Sequence, residues 1–382
     1  KHTTPYAMLR SLVGSEMCIR DSTGKPDSAA IGNKPLNQPH GRANPHGLMG
    51  QPKNMARAFA PGKCILFGEH AVVFGHPAVA VAVDQGVTVS LRESDKWKLG
   101  GSYFDPAQHP HITHITQNVY SYSGKPLDIG VQSDLFSAAG MGSSAALSNA
   151  FGAAMHMLIY PDEDLDQIKM AKLAHSAEAT AQKGRASPTD TATSALGGCV
   201  VVSGAKVPGT RHVFDTSLET PEGKRKWAIN AVDIPEGIND AWLVIGYSGV
   251  GSPTGSMVAK VAKLIREIPH KIEEMKAIAN ITNAGLTALS AGNLEALGIA
   301  MDACHKKLQK LDVSTPYLDR MVEASRPYSL GAKLTGAGGG GCMVALTHDP
   351  DRVSEAIEVS GGVPLRSKLG SEGVRVYKKE IQ

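Results

Sequence analysis

Apolar and polar positions change their spacing several times along the chain, and each change marks an element. The stretches 63–75 (KCILFGEHAVVFG) and 78–94 (AVAVAVDQGVTVSLRES) hold short β-branched runs broken by glycine and read as strands. Residues 143–159 (SSAALSNAFGAAMHMLI) are apolar and alanine-rich over a helical length. In 165–183, Ile168, Ala171, His175 and Glu178 fall at spacings of three, four and three, which places them on one helical face. A strand is expected at 197–206, and a basic turn, PEGKRKW at 221–227, before another strand at 241–249.

The second half opens with helical patterning at 256–268, 271–292 and 293–311. A strand, a glycine turn and a second strand follow at 331–347, then a helix at 351–362 and a last strand at 374–381. Strands and helices interleave without regular βαβ repetition, which favours α+β over a doubly wound sheet. A domain change is placed near residue 230, giving units of 55–230 and 231–382. Residues 1–54 are rich in Gly, Pro, Asn and Ser and show no period. They read as a disordered or extraneous segment, with Met55 as a natural start.

Composition narrows the picture only modestly. The 382 residues are 42% hydrophobic and 20% charged, an ordinary globular mixture long enough for two or three domains. The net charge of +3 is too small to argue for nucleic acid or an anionic membrane as partner. No apolar run reaches the ~18 residues of a membrane span, and the N-terminus lacks a secretory core, so a cytoplasmic protein is expected. The five cysteines are odd in number and none form a CxxC pair, so buried free thiols are expected rather than disulfides or zinc.

Four segments carry candidate chemistry. In AAGMGSSAAL (138–147), Gly140 and Gly142 permit backbone conformations that let N–H groups converge, and a helix start supplies a positive dipole end. Phosphate suits such a place, and Ser144 would offer a hydroxyl to a metal bound to that phosphate; the alternative is that Ser143 merely caps the helix. GAGGGG (336–341) matches GxGxxG by letter, but the strand-like CMVAL after it excludes a dinucleotide fingerprint. Its excess of glycine points to close approach of backbone to a ligand. APGKCILFGEHAVVFGHPA (60–78) holds Lys63, Glu69 and His70. The lysine could snorkel to solvent, while an acid and an imidazole beside a flexible turn suit recognition of a substrate with hydroxyl and carboxylate groups. KGRASPTDTATSALGG (183–198) holds Asp190, either a helix cap or a carboxylate that orients or deprotonates a hydroxyl. Glu178, one helix earlier, is an oxygen donor of the hard type that Mg²⁺ prefers.

Taken together, these four segments resemble the GHMP kinase superfamily and, within it, the mevalonate kinases. The likeness spans about residues 56–346. The segment 60–83 looks like their first motif, GMGSSAAL is similar to the phosphate loop, GRASPTDTATSALGG to the segment with the catalytic aspartate in its archaeal form, and KLTGAGGGGC to the third motif. Two departures stand out: Ser137-Ala138 replace the prolines usual before the phosphate loop, and Glu178 lies one residue further from Gly184 than in the family pattern.

The resemblance implies a two-domain α+β GHMP kinase fold, ribosomal-protein-S5-like in its N-terminal half and ferredoxin-like in its C-terminal half, with the site between them. It implies Mg²⁺-dependent use of ATP to phosphorylate the C5 hydroxyl of mevalonate, in isoprenoid precursor synthesis. Asp190 would be the catalytic carboxylate and Lys63 its cationic partner. Gly140, Met141, Gly142, Ser143 and Ser144 would hold the ATP phosphates, with Gly336, Gly338 and Gly339 closing the nucleotide site. Ser144 and Glu178 would hold the metal, and Glu69, His70 and Thr254 would contact mevalonate. Family members are often dimers, so the resemblance also points to a homodimer. The rival readings are another GHMP kinase acting on phosphomevalonate, a sugar or homoserine, and a non-catalytic sensor of nucleotide or isoprenoid. Lys63, Ser144 and Asp190 occurring together argue against the sensor.

Overall fold

Two antiparallel strands, β1 (Met55–Phe67) and β2 (Ala78–Glu93), form the spine of a large sheet. The Ala/Val run at the start of β2 is buried throughout, so it reads as an apolar block; from Val87 to Leu91 every second residue is buried. β2 is long enough for one of its edges to take two partners, β6 (Cys199–Ser203) along 78–81 and β5 (Leu127–Ser133) along 87–93. The sheet extends through β3 (Lys98–Leu99) and β4 (Ser102–Tyr103) on one side, and through β7 (Arg211–Thr220) and β8 (Gly223–Val232) on the other. This computed structural model describes residues 55–184, 186–220, 223–238 and 240–377.

Among the described residues four α-helices belong to this unit: α1 (Pro110–His114), α2 (Ser143–Ile159), α3 (Gln167–Ala181) and α4 (Thr189–Leu196). α2 is buried nearly all round, and Ala146, Ala150, Ala153 and Ala154 let it lie close on β1 and β2. α3 starts where Asp166 accepts from the N–H groups of Ile168 and Lys169, at 2.9 and 3.2 Å.

The second unit is a four-stranded antiparallel sheet in the order β10–β11–β9–β12, made of β9 (Trp242–Tyr247), β10 (Gly331–Thr335), β11 (Cys342–Thr347) and β12 (Val363–Lys368). Helices α5 (Thr254–Glu267), α6 (Ile272–Ser290), α7 (Leu294–Lys310) and α8 (Pro316–Ser325) lie between β9 and β10, and α9 (Pro350–Val359) between β11 and β12. Strand, helices, two strands, helix, strand in this order is the ferredoxin-like arrangement. α7 can approach β10 because both contacts are glycines: a Cβ on Gly298 would lie 2.1 Å from the Leu330 carbonyl oxygen. The two units share one apolar core, with Phe67 of β1 against Gly285 of α6. After β12 the described residues return to the large sheet, where β13 (Arg375–Val376) pairs with β1.

The two-domain α+β architecture is therefore the one expected, with local differences. Residues 71–74 form a short 3₁₀ helix rather than the end of a strand, because Gly68 and His70 turn the chain at positive φ. The basic segment 221–227 is mostly the beginning of β8, which pairs with β7 in a largely solvated hairpin whose apolar alternation is too weak to show in the sequence. Among the described residues of the strand expected at 374–381, Arg375–Val376 form the strand; its last four residues, like the segment 1–54, lie outside the described residues. Cys64, Cys199, Cys304 and Cys342 are free and buried. Among the described residues no helix is long and apolar enough to cross a membrane.

Candidate active site

A cavity of about 1010 Å³ opens between the two units, and Lys63, His70, Gly140, Ser144, Asp190 and Thr254 all reach it. Lys63 sits where β1 shifts register against β2, so its side chain leaves the sheet there. Its ammonium donates to the Gly140 carbonyl oxygen at 2.7 Å and lies 3.2 Å from Asp190 Oδ1. The lysine does not snorkel to solvent: it is 5% exposed. Nor is Asp190 a helix cap, since Pro188 holds that position and Asp190 lies in the first turn of α4. Its carboxylate is 40% exposed, open to the cavity and paired with Lys63.

The turn at 138–142 is built on left-handed backbone, with φ of +53° at Ala138, +75° at Gly140 and +74° at Gly142. A Cβ on Gly142 would stand 3.2 Å from Lys63 Cγ and 3.5 Å from Asp190 Oδ2, so glycine lets the turn close over the pair. Gly142, not Ser143, is the N-cap of α2, and no side chain caps the helix. The first-turn N–H groups of a 17-residue helix are thus left for a ligand or water, at its positive end.

Ser144 follows in that first turn and borders the cavity, as does Glu178, which is buried in the last turns of α3. Glu178 Oε1 lies 3.3 Å from His111 Nε2, and Gln182 Nε2 donates to Oε2 at 2.5 Å. Burial alone would raise this carboxyl; His111, Ser144 and Gln182 outweigh it and hold it below its ordinary range. Ser144 and Glu178 thus line the same cavity. His111 and Gln182 are partners that the sequence reading missed; the only hint was the histidine spacing in HPHITH.

On the opposite wall His70 adopts φ +60°, ψ −41°, uncommon for any residue with a side chain. Its Nε2 lies 2.8 Å from the Ala337 carbonyl oxygen, which can only accept, so Nε2 carries the hydrogen. Burial pushes the ring down to about 4, so it is neutral and Nδ1 is an acceptor, buried without a partner. Glu69 also borders the cavity, but its carboxylate is held by the buried ammonium of Lys333 in β10. Thr254 opens α5 at the cavity wall.

The glycine turn 336–341 divides by role. Gly336 has open space where a Cβ would stand and faces the cavity. Gly338 and Gly339 do not line it: a Cβ there would meet the Val313 carbonyl oxygen at 2.2 Å and Met257 Sδ at 2.6 Å. The close approach expected of these glycines to a ligand is an approach to the protein itself. The turn also buttresses its counterpart, since Ser252 Oγ donates to the Gly338 carbonyl while Ser252 N donates to that of Ala138.

With this geometry in hand, residues 111–198 match the family model of the GHMP kinases N terminal domain and residues 286–359 that of the GHMP kinases C terminal. A mevalonate kinase of Pyrococcus furiosus is 30% identical over 355 residues, 84% of this chain and 97% of the relative. One of Methanothermobacter thermautotrophicus is 34% identical over 311 residues, 78% of this chain and 92% of the relative. In fold, the chain is similar to an L. major mevalonate kinase solved in complex with R-mevalonate, with a TM-score of 0.68 at 22% identity over 84% of this chain and 98% of that one.

Proposed function

The chain belongs to the GHMP kinase family, and from that membership we propose that it transfers the terminal phosphoryl group of ATP to the C5 hydroxyl of mevalonate. The relatives above carry that activity in their names over nearly their whole length. The observation that carries the chemistry is the Lys63 ammonium, held between the Asp190 carboxylate at 3.2 Å and the Gly140 carbonyl at 2.7 Å at the mouth of the glycine turn.

Phosphoryl transfer asks a protein mainly for positioning and charge neutralisation. Asp190, half-exposed to the cavity, accepts the proton of the attacking hydroxyl, and Lys63 beside it stabilises the developing alkoxide. The uncapped start of α2 and the turn at 140–142 supply N–H groups to the phosphates. His70, neutral and with Nδ1 free to accept, receives a hydrogen bond from a substrate hydroxyl, and Thr254 bounds the same side. Gly336 lies against the nucleotide from the second unit.

The donors fit Mg²⁺. Ser144 and Glu178 are hard oxygen donors, Glu178 is held ionised, and its buried Oε1 accepts no hydrogen bond. Among the described residues no group of three or more His, Cys, Asp or Glu side chains could hold a metal. Two protein oxygens suit an ion that keeps waters and substrate phosphates as its other ligands. Bound there, Mg²⁺ would neutralise phosphate charge.

An ATP-consumption assay with mevalonate, phosphomevalonate, homoserine and galactose in parallel tests the substrate. Mevalonate is expected to be turned over fastest, and equal or faster turnover of another alcohol would replace it. Asp190→Asn should lower kcat on mevalonate by about 10²–10⁴-fold with ATP affinity unchanged; wild-type turnover would remove Asp190 from the chemistry.

A further inference from the structure

Side chains on a strand alternate, so residues two apart share a face. β10 and the turn after it use this period against the first unit. Lys333 donates to the Glu69 carboxylate, Thr335 Oγ1 accepts from Ile65 N at 3.1 Å and donates to Ile65 O at 2.9 Å, and the Ala337 carbonyl accepts from His70 at 2.8 Å. Two alternate positions of β10 and one carbonyl of the turn after it thus grip three positions on and just after β1. The Lys333 and Glu69 side chains are 0% and 1% exposed, and Lys333 also donates to the Leu334 carbonyl at 2.7 Å.

A buried ion pair is weak evidence for stability, because desolvation offsets its attraction and apolar side chains would fill the space as well. What they would not do is aim residue 69. The next residue, His70, has a backbone conformation that persists only where its surroundings over-determine it. Its ring is tethered by Ala337 and its carbonyl accepts from Val73 N at 3.1 Å, while the side chain of the residue before it is held by Lys333.

We propose that Lys333, outside the cavity wall, is a positioning residue for the substrate: through Glu69 it fixes the backbone at 69–70 and so the placement of the His70 ring at the cavity wall. The proposal rests on the reading that His70 contacts mevalonate.

The test is steady-state kinetics of Lys333→Met with each substrate varied, beside His70→Ala, with the His70 ring signals followed by NMR in substrate-free protein. Lys333→Met should raise KM for mevalonate about tenfold or more, leave KM for ATP within about twofold, and move the His70 signals. Should Lys333→Met fail to fold, the pair of substitutions Glu69→Gln and Lys333→Met, which leaves no buried charge, is expected to give the same split. A folded Lys333→Met (or that double variant) with wild-type KM for mevalonate, with both KM values rising together, or with unmoved His70 signals overturns the inference. If His70→Ala itself leaves KM for mevalonate unchanged, the substrate-side reading fails and takes this inference with it. If His70→Ala raises that KM and the Lys333 variant does not, the inference alone falls.

Discussion

Two lysine–carboxylate pairs begin six residues apart on the same stretch of chain, at Lys63 and at Glu69, and end in opposite settings. The Lys63–Asp190 pair has one partner 40% exposed to a cavity; the Lys333–Glu69 pair is sealed between the two units. Chemistry needs a charge that a substrate can reach; the Asp190 carboxylate is open to the cavity, while that of Glu69, though the residue borders it, is buried against Lys333. In the sealed pair, burial opposes the Lys333 charge, but the Glu69 carboxylate beside it outweighs that and holds the ammonium above its ordinary value. Glu69 is pushed up by burial against the pull of Lys333. The same pair of functional groups thus does different work according to what surrounds it, one facing the reaction and the other holding the wall of the site.

The sharpest way to break this contrast is to exchange each lysine for methionine. Lys63→Met should lose about 10²–10⁴-fold in turnover while its resistance to urea stays near wild type. Lys333→Met, which strands a buried carboxylate, should instead lose about 3–5 kcal/mol of unfolding free energy. Equal stability losses in the two variants would end the distinction.

A smaller effect separates the two glycine turns. Gly338→Ala drives a Cβ to 2.2 Å from the Val313 carbonyl oxygen at φ +81°, and should cost about 1–3 kcal/mol or more in stability. Gly142→Ala puts a Cβ against Lys63 and Asp190, and should lower turnover by about tenfold or more with the smaller loss of stability. If Gly338→Ala lowered turnover and spared stability, the division of the glycines would be wrong.

The mildest probe is acid. Burial pushes His70 and His305, both in the seam around β10, down from 6.5 to about 4. Below pH 6.5 the unfolded chain takes up protons that the folded chain refuses, so stability present above that value is lost progressively as pH falls toward 4. Urea unfolding should therefore show a less stable protein at pH 5 than at pH 7, and a flat profile would contradict the buried neutral rings.

Much of the fold was legible because local composition coincides with burial. The alanine-rich run of α2, the glycine punctuation around β10 and β11, and the Ala/Val block of β2 are each packed as their patterns say. The β7–β8 hairpin and the short strand β12 escaped because their faces are mostly solvated or interrupted, so no period stands out. Of the candidate site, Lys63 meets Asp190, and Ser144 and Glu178 line the same cavity; the parts of His111 and Lys333 were not read, since the histidine spacing in HPHITH names no partner and a lysine in a strand carries no local signal. Gly338 and Gly339 were read as ligand glycines because closeness to a ligand and closeness to another backbone demand the same missing Cβ.

By itself, the amino-acid sequence determined the alternation of elements, the two glycine turns and the residue types able to move a proton or neutralise phosphate, all of which depend on neighbours a few positions apart. Only the tertiary structure decided which carboxylate each lysine meets, which glycines face the cavity and which ring nitrogen of His70 is left to accept. Those outcomes depend on contacts between residues 127 positions apart for Lys63 and Asp190 and 264 for Glu69 and Lys333, and on the burial that packing imposes. Distance and dielectric at such a contact are properties of the folded core, and no short stretch of chain encodes them.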